Sequence, residues 1–229
     1  MDAFHLCLAL GPVAVYLLLL GMLNLSRRSF LVAGVRDAAA LGLALSGLVI
    51  VGPLALWFPH STAAHMGRFG VELVWLFMLS LYGLCLVLVL LVLRPRLVIY
   101  NISADQLRPI LADLVEKLDP EARWAGDSLV LPDLGVQVQL ESLAWMRNVS
   151  LVSAGPNQNL GGWRRLENEL ALALRQVEVP RNPRAVSLLS VGTMIAGWLI
   201  WQVAKDPQSV ARVLFDILSE CWQMVGLGK

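Results

Sequence analysis

Four long apolar runs limit what this chain can fold into more than any other feature of its sequence. A helix that crosses the hydrocarbon core of a bilayer, about 30 Å thick, needs about 20 predominantly apolar residues. Runs of about that length lie at residues 4–25, 38–58, 71–93 and 185–204. Apolar residues make up 57% of the 229 residues and charged residues only 15%, against about 25% in a typical soluble domain. The sequence therefore predicts an α-helical integral membrane protein with four transmembrane helices.

Basic residues beside these runs predict an orientation. They lie after the first run and at both ends of the stretch between the third and fourth runs: Arg27, Arg28, Arg94, Arg96, Arg181 and Arg184. Because loops rich in Arg and Lys remain in the cytoplasm, we expect residues 95–184 inside and both termini outside. The chain prefers Arg to Lys, a bias that we associate with bacterial genomes of high GC content, so we expect the bacterial inner membrane. The same arginines are candidate contacts for anionic lipid headgroups.

The stretch between the third and fourth runs, residues 95–184, has the pattern of a small folded domain. A short apolar strand precedes an amphipathic helix whose start carries a capping box, Ser103 with Gln106. Strict alternation over residues 136–141 predicts a half-buried strand, and an apolar stripe from Trp163 onward predicts a second helix. The order β-α-β-β-β-α predicts an α+β domain in which two helices cover one face of an antiparallel sheet.

Proline-containing joints connect this domain to the apolar runs. Residues 94–96 read RPR and residues 180–184 read PRNPR, and neither joint contains Gly or Ser. We therefore expect the domain to be held close to the membrane surface rather than on a flexible linker. The predicted division of the chain is 1–94, 95–184, 185–204 and 205–229.

The last 25 residues, 205–229, predict an amphipathic helix on the outer face. Arg212, Asp216 and Glu220 recur at four-residue spacing, which makes crossing the bilayer costly. Such a helix lies in the membrane interface or in the groove of a partner. Its apolar face is formed by Val210, Val213, Leu214, Ile217, Leu218 and Trp222.

Small residues recur every fourth position around the start of the second run: Gly34, Ala38, Gly42 and Ser46. Small side chains at this spacing let two helix backbones approach closely. Two interpretations remain open, which are packing within the chain and contact with another subunit.

All three histidines fall on the predicted outer side. His5 opens the first run, and His60 and His65 lie in the expected loop after the second run. Imidazole nitrogens ligate transition metals and haem iron, whereas loop histidines more commonly make ordinary hydrogen bonds. No cofactor is predicted, and a metal or haem site formed by these three residues is the alternative.

The turn before the second domain helix resembles an anion site, because glycines precede two arginines in its first turn: Gly161, Gly162, Arg164 and Arg165. Main-chain N–H groups at a helix start bind anions. The stretch matches neither the dinucleotide-binding nor the P-loop motif, and a simple turn before a solvated helix is the other interpretation.

These observations favour a binding role over catalysis. No Ser/His/Asp or Cys/His set can be read from the sequence, and the net charge of +1 disfavours nucleic acid as a partner. The apolar runs carry no Asp, Glu, Lys, Arg or His deep inside them, which disfavours transport. We expect a non-enzymatic accessory or scaffolding subunit of a bacterial membrane complex, with other membrane subunits, anionic lipids or a second copy as partners. A metal- or haem-binding subunit is the alternative, and a small transporter or membrane enzyme is the third.

Overall fold

The computed structural model describes residues 3–57, 60–143, 146–156, 158–208 and 210–212, together with Phe215 and Ser219. Side chains are described at these positions except at 50, 52–57, 60–72, 74 and 75. The chain divides into two compact units. The first comprises Met1–Leu18, Gly42–Leu86 and Ser190–Lys229, and the second comprises Leu19–Leu41 and Val87–Leu189.

Helices and one sheet make up the described chain. The main helices are α1 (Ala3–Leu25), α2 (Gly34–Trp57), α3 (His60–Val92), α4 (Ala104–Leu118), α5 (Leu160–Arg175) and α6 (Ala185–Lys205). The strands are β1 (Phe30–Ala33), β2 (Arg96–Tyr100), β3 (Arg123–Ala125), β4 (Ser128–Leu131), β5 (Val136–Leu143) and β6 (Asn148–Ser153). All neighbouring strands are antiparallel, in the order β1-β2-β6-β5-β4-β3.

Two helices, α1 and α6, are long and apolar enough to cross a membrane, and they suggest that the protein associates with one. Within the described residues, neither α2 nor α3 contains an apolar stretch long enough to cross a membrane. The first turns of α2 carry Arg36 and Asp37, and the apolar part of α3, Leu76–Val92, is shorter than a span of about 20 residues. The prediction of four transmembrane helices is therefore wrong.

Glycines bring the helices of the first unit into close contact. A Cβ atom at Gly47 of α2 would lie 2.0 Å from the main-chain oxygen of Leu8 in α1. A Cβ atom at Gly192 of α6 would lie 3.0 Å from Cγ of Leu18, also in α1. A side chain at Gly47 would clash with the main chain of α1, and one at Gly192 would be tighter than an ordinary contact, so glycine lets these helix backbones approach. Helix α1 is therefore packed against both α2 and α6.

The core of the second unit lies between one face of the sheet and helices α4 and α5. Strand β5 alternates buried and exposed residues, and its Val136 and Val138 are fully buried. Helix α4 contributes Leu107 and Leu111, both with no exposed surface, and α5 contributes a matching stripe that includes Leu166. The hydrophobic effect on this side of the sheet fixes the register of the strands, because a slip of one residue would turn the buried face toward water.

The sheet has six strands, so the predicted order β-α-β-β-β-α is wrong in two places. Residues 123–131, which the sequence predicts as one strand interrupted by a turn at residues 125–127, form a hairpin of two strands, β3 and β4, that turns at Gly126 with a φ of +64°. Strand β1 comes from the connection between α1 and α2 and pairs with β2 at the edge of the sheet. Its four residues are too few to show a strand period, and the pairing depends on a partner far along the chain. The sheet therefore extends beyond residues 95–184.

Candidate functional site

Segments that are distant in sequence meet where the sheet adjoins the ends of α1, α2 and α6. We call this region the junction, formed by residues 24–37, 94–102, 146–147 and 178–184. Arg28 and Glu178 form an isolated antiparallel bridge, and the N–H group of Val179 donates to the main-chain oxygen of Arg27 at 2.9 Å. The connection between α1 and α2 is thus hydrogen-bonded to β2 and to the joint before α6.

Asn101 is the most buried polar side chain of the junction, with no exposed surface. Its Nδ2 donates to the main-chain oxygens of Ser26 at 2.6 Å and of Arg28 at 3.4 Å. The backbone is left-handed here, with a φ of +62°, which Asn tolerates better than most residues because its side chain bonds locally. Asn101 therefore ties the end of β2 to the chain that leaves α1.

Arg147 and Asn182 hold the proline-containing joint before α6. Arg147 donates through Nη1 to the main-chain oxygen of Pro180 at 2.8 Å and through Nη2 to Oε1 of Gln106 at 3.0 Å. Asn182 is buried, and its Nδ2 donates to the main-chain oxygen of Met146 at 3.2 Å. The joint is therefore fixed both to α4 and to the turn before β6.

An acidic residue at the start of α2 fixes that helix to the sheet. The hydroxyl of Tyr100 donates to the carboxylate of Asp37, and Nη2 of Arg96 lies 3.5 Å from the same carboxylate. A Cβ atom at Gly34 would lie 2.0 Å from Cγ of Arg96, so the glycine permits this approach. The first turns of α2 thus cover β2 on the face of the sheet opposite α4 and α5.

A cavity of about 450 Å³ opens on the junction. It is lined by Arg27 on one side and by the four consecutive residues Glu178, Val179, Pro180 and Arg181 on the other. The side chains of Arg27 and Arg181 are exposed, so they can reach a solute or a headgroup. Two arginines that line one cavity carry guanidinium groups, which are suited to bind a phosphate or a carboxylate.

The structure separates the six predicted headgroup arginines into different surroundings. Arg27 and Arg181 share the cavity, whereas Arg96 is engaged with Asp37. Arg28 contributes its backbone to the bridge with Glu178. The remaining two lie at the joints themselves: Arg94 precedes β2 and Arg184 precedes α6. Only the pair at the cavity forms a shared basic site among these described residues.

Two of the four residues in the predicted ladder on α2, Gly34 and Gly42, lie against other parts of the chain. Gly34 adjoins Arg96, and a Cβ atom at Gly42 would lie 2.4 Å from Cδ1 of Leu86 in α3. Ser46 donates to the main-chain oxygen of Leu43 at 2.7 Å, and Ala38 is half-buried. The close contact with α1 is made instead by Gly47, one position further along.

The predicted anion site at the start of α5 is occupied by the protein itself. Oδ1 of Asn159 accepts hydrogen bonds from the N–H groups of Gly161 at 2.9 Å and Gly162 at 3.4 Å. These are the donors that an anion would use, and they act here as an ordinary helix cap. Arg164 and Arg165 are exposed, and as the fifth and sixth residues of α5 they lie in its second turn rather than in its first.

The predicted histidine site falls largely outside the described residues. His5 lies on α1 with its ring 5.9 Å from that of Phe4, in an edge-on arrangement. His60 and His65 belong to helix α3 rather than to a loop, but their side chains are not among those described. No group of three potential metal ligands lies among the described residues. The metal or haem site remains a prediction.

The predicted apolar face of the C-terminal helix also lies mostly beyond what the structure describes. Val210 is helical and half-buried. The other members of that face are not among the described residues: Val213, Leu214, Ile217, Leu218 and Trp222.

Sequence reasoning missed the role of Asn101 and strand β1, which begins just after the residues that Asn101 contacts. A usable signal exists, because an Asn between a strand-like run and the capping box of Ser103 is a typical left-handed position. Comparisons of the chain with protein-family models, with curated proteins and with solved structures found no match.

Proposed function

We propose that this protein is a non-enzymatic scaffolding subunit of a membrane protein complex, which presents its α+β sheet to a partner subunit in a fixed orientation. The observation that carries this proposal is the junction. Three sets of contacts, made by two distant parts of the chain, hold the connection between α1 and α2: the β1–β2 ladder, the side chain of Asn101 directly after β2, and the bridge of Arg28 with Glu178.

This arrangement supports a scaffolding role on physical grounds. A domain that hangs on one flexible linker samples many orientations, and ordering them costs free energy when a partner binds. The sheet is instead hydrogen-bonded to the end of α1, and Asp37 joins it to the start of α2. Because this orientation is set before binding, less conformational entropy is lost when a partner binds.

The free part of the sheet supplies a surface for such a partner. On the face opposite α4 and α5, Gln137, Gln139 and Glu141 of β5 are exposed. Half-buried Val130 and Val152 lie beside them in the ladder, opposite Gln137 and Gln139 respectively. A surface that combines polar and apolar side chains can form hydrogen bonds and bury apolar area against a partner subunit.

The proposed location is a bacterial inner membrane with the sheet in the cytoplasm. The end of α1 lies against the start of α6, since a Cβ atom at Gly21 would be 2.7 Å from Cγ of Leu189. Arg27 follows that end of α1 and Arg181 precedes that start of α6, so both lie on the same side. Positively charged flanks favour the cytoplasmic side.

The experiment is native mass spectrometry of the tagged protein, purified from its own membranes in a mild detergent. The proposal predicts a heterologous assembly of fixed stoichiometry. Gln139→Arg places a long charged side chain on the free sheet face and should dissociate the partner. Asn168→Arg makes the same kind of change on the exposed side of α5 and should leave the assembly intact.

Two results would contradict the scaffolding role. The first is recovery of the wild-type protein only alone or as a homo-oligomer. The second is an assembly that both variants retain equally, because the free sheet face would then not be the surface that the partner contacts.

A further inference from the structure

The cavity of the junction has the size and the lining of a site for a small polar group. Its volume, about 450 Å³, lies within the range of roughly 300–1,000 Å³ that is usual for ligand pockets. Its charged side chains are those of Arg27, Arg181 and Glu178. None of these residues belongs to the surface proposed above for a partner subunit, so the cavity is a separate feature of the protein.

The fold holds the backbones of the two segments that carry Arg27 and Arg181 side by side, although these segments are far apart in sequence. The hydrogen bond from Val179 to the oxygen of Arg27 joins the two walls of the cavity directly, and the bridge of Arg28 with Glu178 continues the same pairing. The second wall is stiffened further by Arg147, which donates to the oxygen of Pro180. The site is therefore formed by the backbone before any ligand arrives.

The position of the cavity points to a membrane headgroup. Arg27 lies two residues after the end of α1 at Leu25, and Arg181 lies four residues before the start of α6 at Ala185. Both of these helices are long and apolar enough to cross a membrane. A side chain just beyond the end of such a helix is at the level of the lipid phosphates, where guanidinium groups bind them.

The charges of the cavity narrow the choice of headgroup. Two guanidinium groups and one carboxylate leave a net charge of one positive unit, which matches the single negative charge of a phosphodiester. Arginine binds phosphate oxygens in pairs through its planar fork of N–H groups. The carboxylate of Glu178 has no role toward the phosphate, but it accepts hydrogen bonds and attracts an ammonium group.

We propose that this cavity binds the headgroup of a phospholipid whose phosphodiester carries a hydroxyl or primary amine. Arg27 and Arg181 hold the phosphate, and Glu178 accepts a hydrogen bond from the glycerol hydroxyl or the ethanolamine ammonium group. A choline headgroup offers Glu178 no hydrogen-bond donor, so phosphatidylcholine binds less well. This inference does not depend on the scaffolding role, since a lipid site can exist with or without a partner subunit.

The test uses the full-length protein, freed of lipid in detergent, and native mass spectrometry. Phosphatidylglycerol, phosphatidylethanolamine and phosphatidylcholine with identical acyl chains are titrated separately. We expect one tightly held phosphatidylglycerol or phosphatidylethanolamine per chain and about tenfold weaker retention of phosphatidylcholine, the equivalent of one charge-assisted hydrogen bond. Equal retention of all three lipids would overturn the proposal.

Paired variants separate the site from general attraction between opposite charges. Arg27→Gln with Arg181→Gln should weaken retention of phosphatidylglycerol about tenfold. Arg123→Gln with Arg164→Gln removes the same charge from two exposed arginines elsewhere on the sheet unit and should change little. An equal loss in both pairs would overturn the proposal. If the first pair alters the thermal unfolding temperature, Arg181→Gln alone, with an exposed side chain, replaces it.

Two further experiments test the role of Glu178 and the source of the ligand. Glu178→Gln should lower the ratio of phosphatidylethanolamine to phosphatidylglycerol retained, because the attraction for the ammonium group is lost, and an unchanged ratio would overturn the role of Glu178. Soluble glycerophosphoglycerol, added in excess, should displace the lipid poorly. Displacement at concentrations equal to those of the lipid would contradict a lipid headgroup as ligand and indicate a soluble phosphodiester.

Discussion

The Nδ2 atom of Asn101 lies 2.6 Å from the main-chain oxygen of Ser26, so that one buried side chain joins the end of strand β2 to the residue after helix α1. The same amide also contacts the main-chain oxygen of Arg28, at 3.4 Å. Because β1 begins two residues later, these bonds precede the β1–β2 ladder directly. The connection between α1 and α2 is consequently part of the sheet unit and not a free loop.

Asn101→Ala should lower the free energy of unfolding by about 2 kcal/mol, of which the lost hydrogen bonds account for about half. The other half comes from a Cβ-bearing residue without a local side-chain bond at a φ of +62°. Asn101→Gly loses the hydrogen bonds but tolerates that φ, so it should cost about 1 kcal/mol less than the alanine variant. Denaturant titration in detergent measures both. Equal costs would show that the backbone conformation contributes nothing.

The contact of Asp37 with Tyr100 should appear as a coupling energy. Asp37→Ala and Tyr100→Phe each remove one partner of the same hydrogen bond, which joins α2 to β2. A double-mutant cycle should therefore give a coupling of about 1 kcal/mol, within the range for residues in direct contact. Strictly additive losses of stability in the two single variants would mean that the start of α2 is not held by this pair.

Gly47→Ala and Gly83→Ala form a matched pair within the first unit. A Cβ atom at Gly47 would lie 2.0 Å from the main-chain oxygen of Leu8, whereas nothing lies within 4 Å of the corresponding position at Gly83. Gly47→Ala must push α2 and α1 apart and should cost about 1–3 kcal/mol. Gly83→Ala should be neutral or slightly stabilising, because alanine is the better helix former. Thermal unfolding of the two variants makes the comparison, and a similar loss in both would refute the close contact.

Asp119 should be essential to the end of α4. Its carboxylate is fully buried and accepts hydrogen bonds from the N–H groups of Glu121 at 3.1 Å and Asp133 at 2.9 Å. Asp119→Ala leaves both donors without this partner and should cost about 2–3 kcal/mol. Asp113→Ala, on the exposed side of the same helix, should change stability by about 0.5 kcal/mol or less. Chemical denaturation should give a lower unfolding midpoint for Asp119→Ala than for Asp113→Ala. Equal midpoints would contradict the role of Asp119.

The sequence carried enough information for the elements whose pattern is local. The alternation around Val136 and the stripe through Leu107 and Leu111 appear as expected, because each depends on residues a few positions apart. Strand β1 could not be found in this way, since four residues show no period and their partner strand begins at Arg96. Its existence depends on pairing between distant segments, which local patterns do not contain.

Local sequence patterns also did not give the number of membrane-spanning helices or the grouping of the arginines. Both depend on contacts between distant segments of the chain. Hydropathy counted residues 38–58 as a transmembrane helix, whereas helix α2 begins at Gly34 and its first turns carry Asp37, which bonds to Tyr100 of β2. The arginines near the apolar runs were all predicted to contact headgroups. Only contacts between distant segments show that Arg96 is engaged by Asp37 while Arg27 and Arg181 share one cavity.

Disulfide cross-linking tests most directly whether the connection between α1 and α2 belongs to the sheet. Val32 lies opposite Val98 in the β1–β2 ladder, with both side chains on one face. In a chain with Cys7, Cys85 and Cys221 replaced by Ser, mild oxidation of the variant Val32→Cys with Val98→Cys should give an intramolecular disulfide in high yield. Leu31→Cys with Val98→Cys should give little, because a shift of one residue places the first side chain on the other face. Efficient cross-linking of the Val32 pair alone is the result that we predict. Equal yields in both variants, or cross-linking of the control pair alone, would contradict the six-stranded sheet and the junction that depends on it.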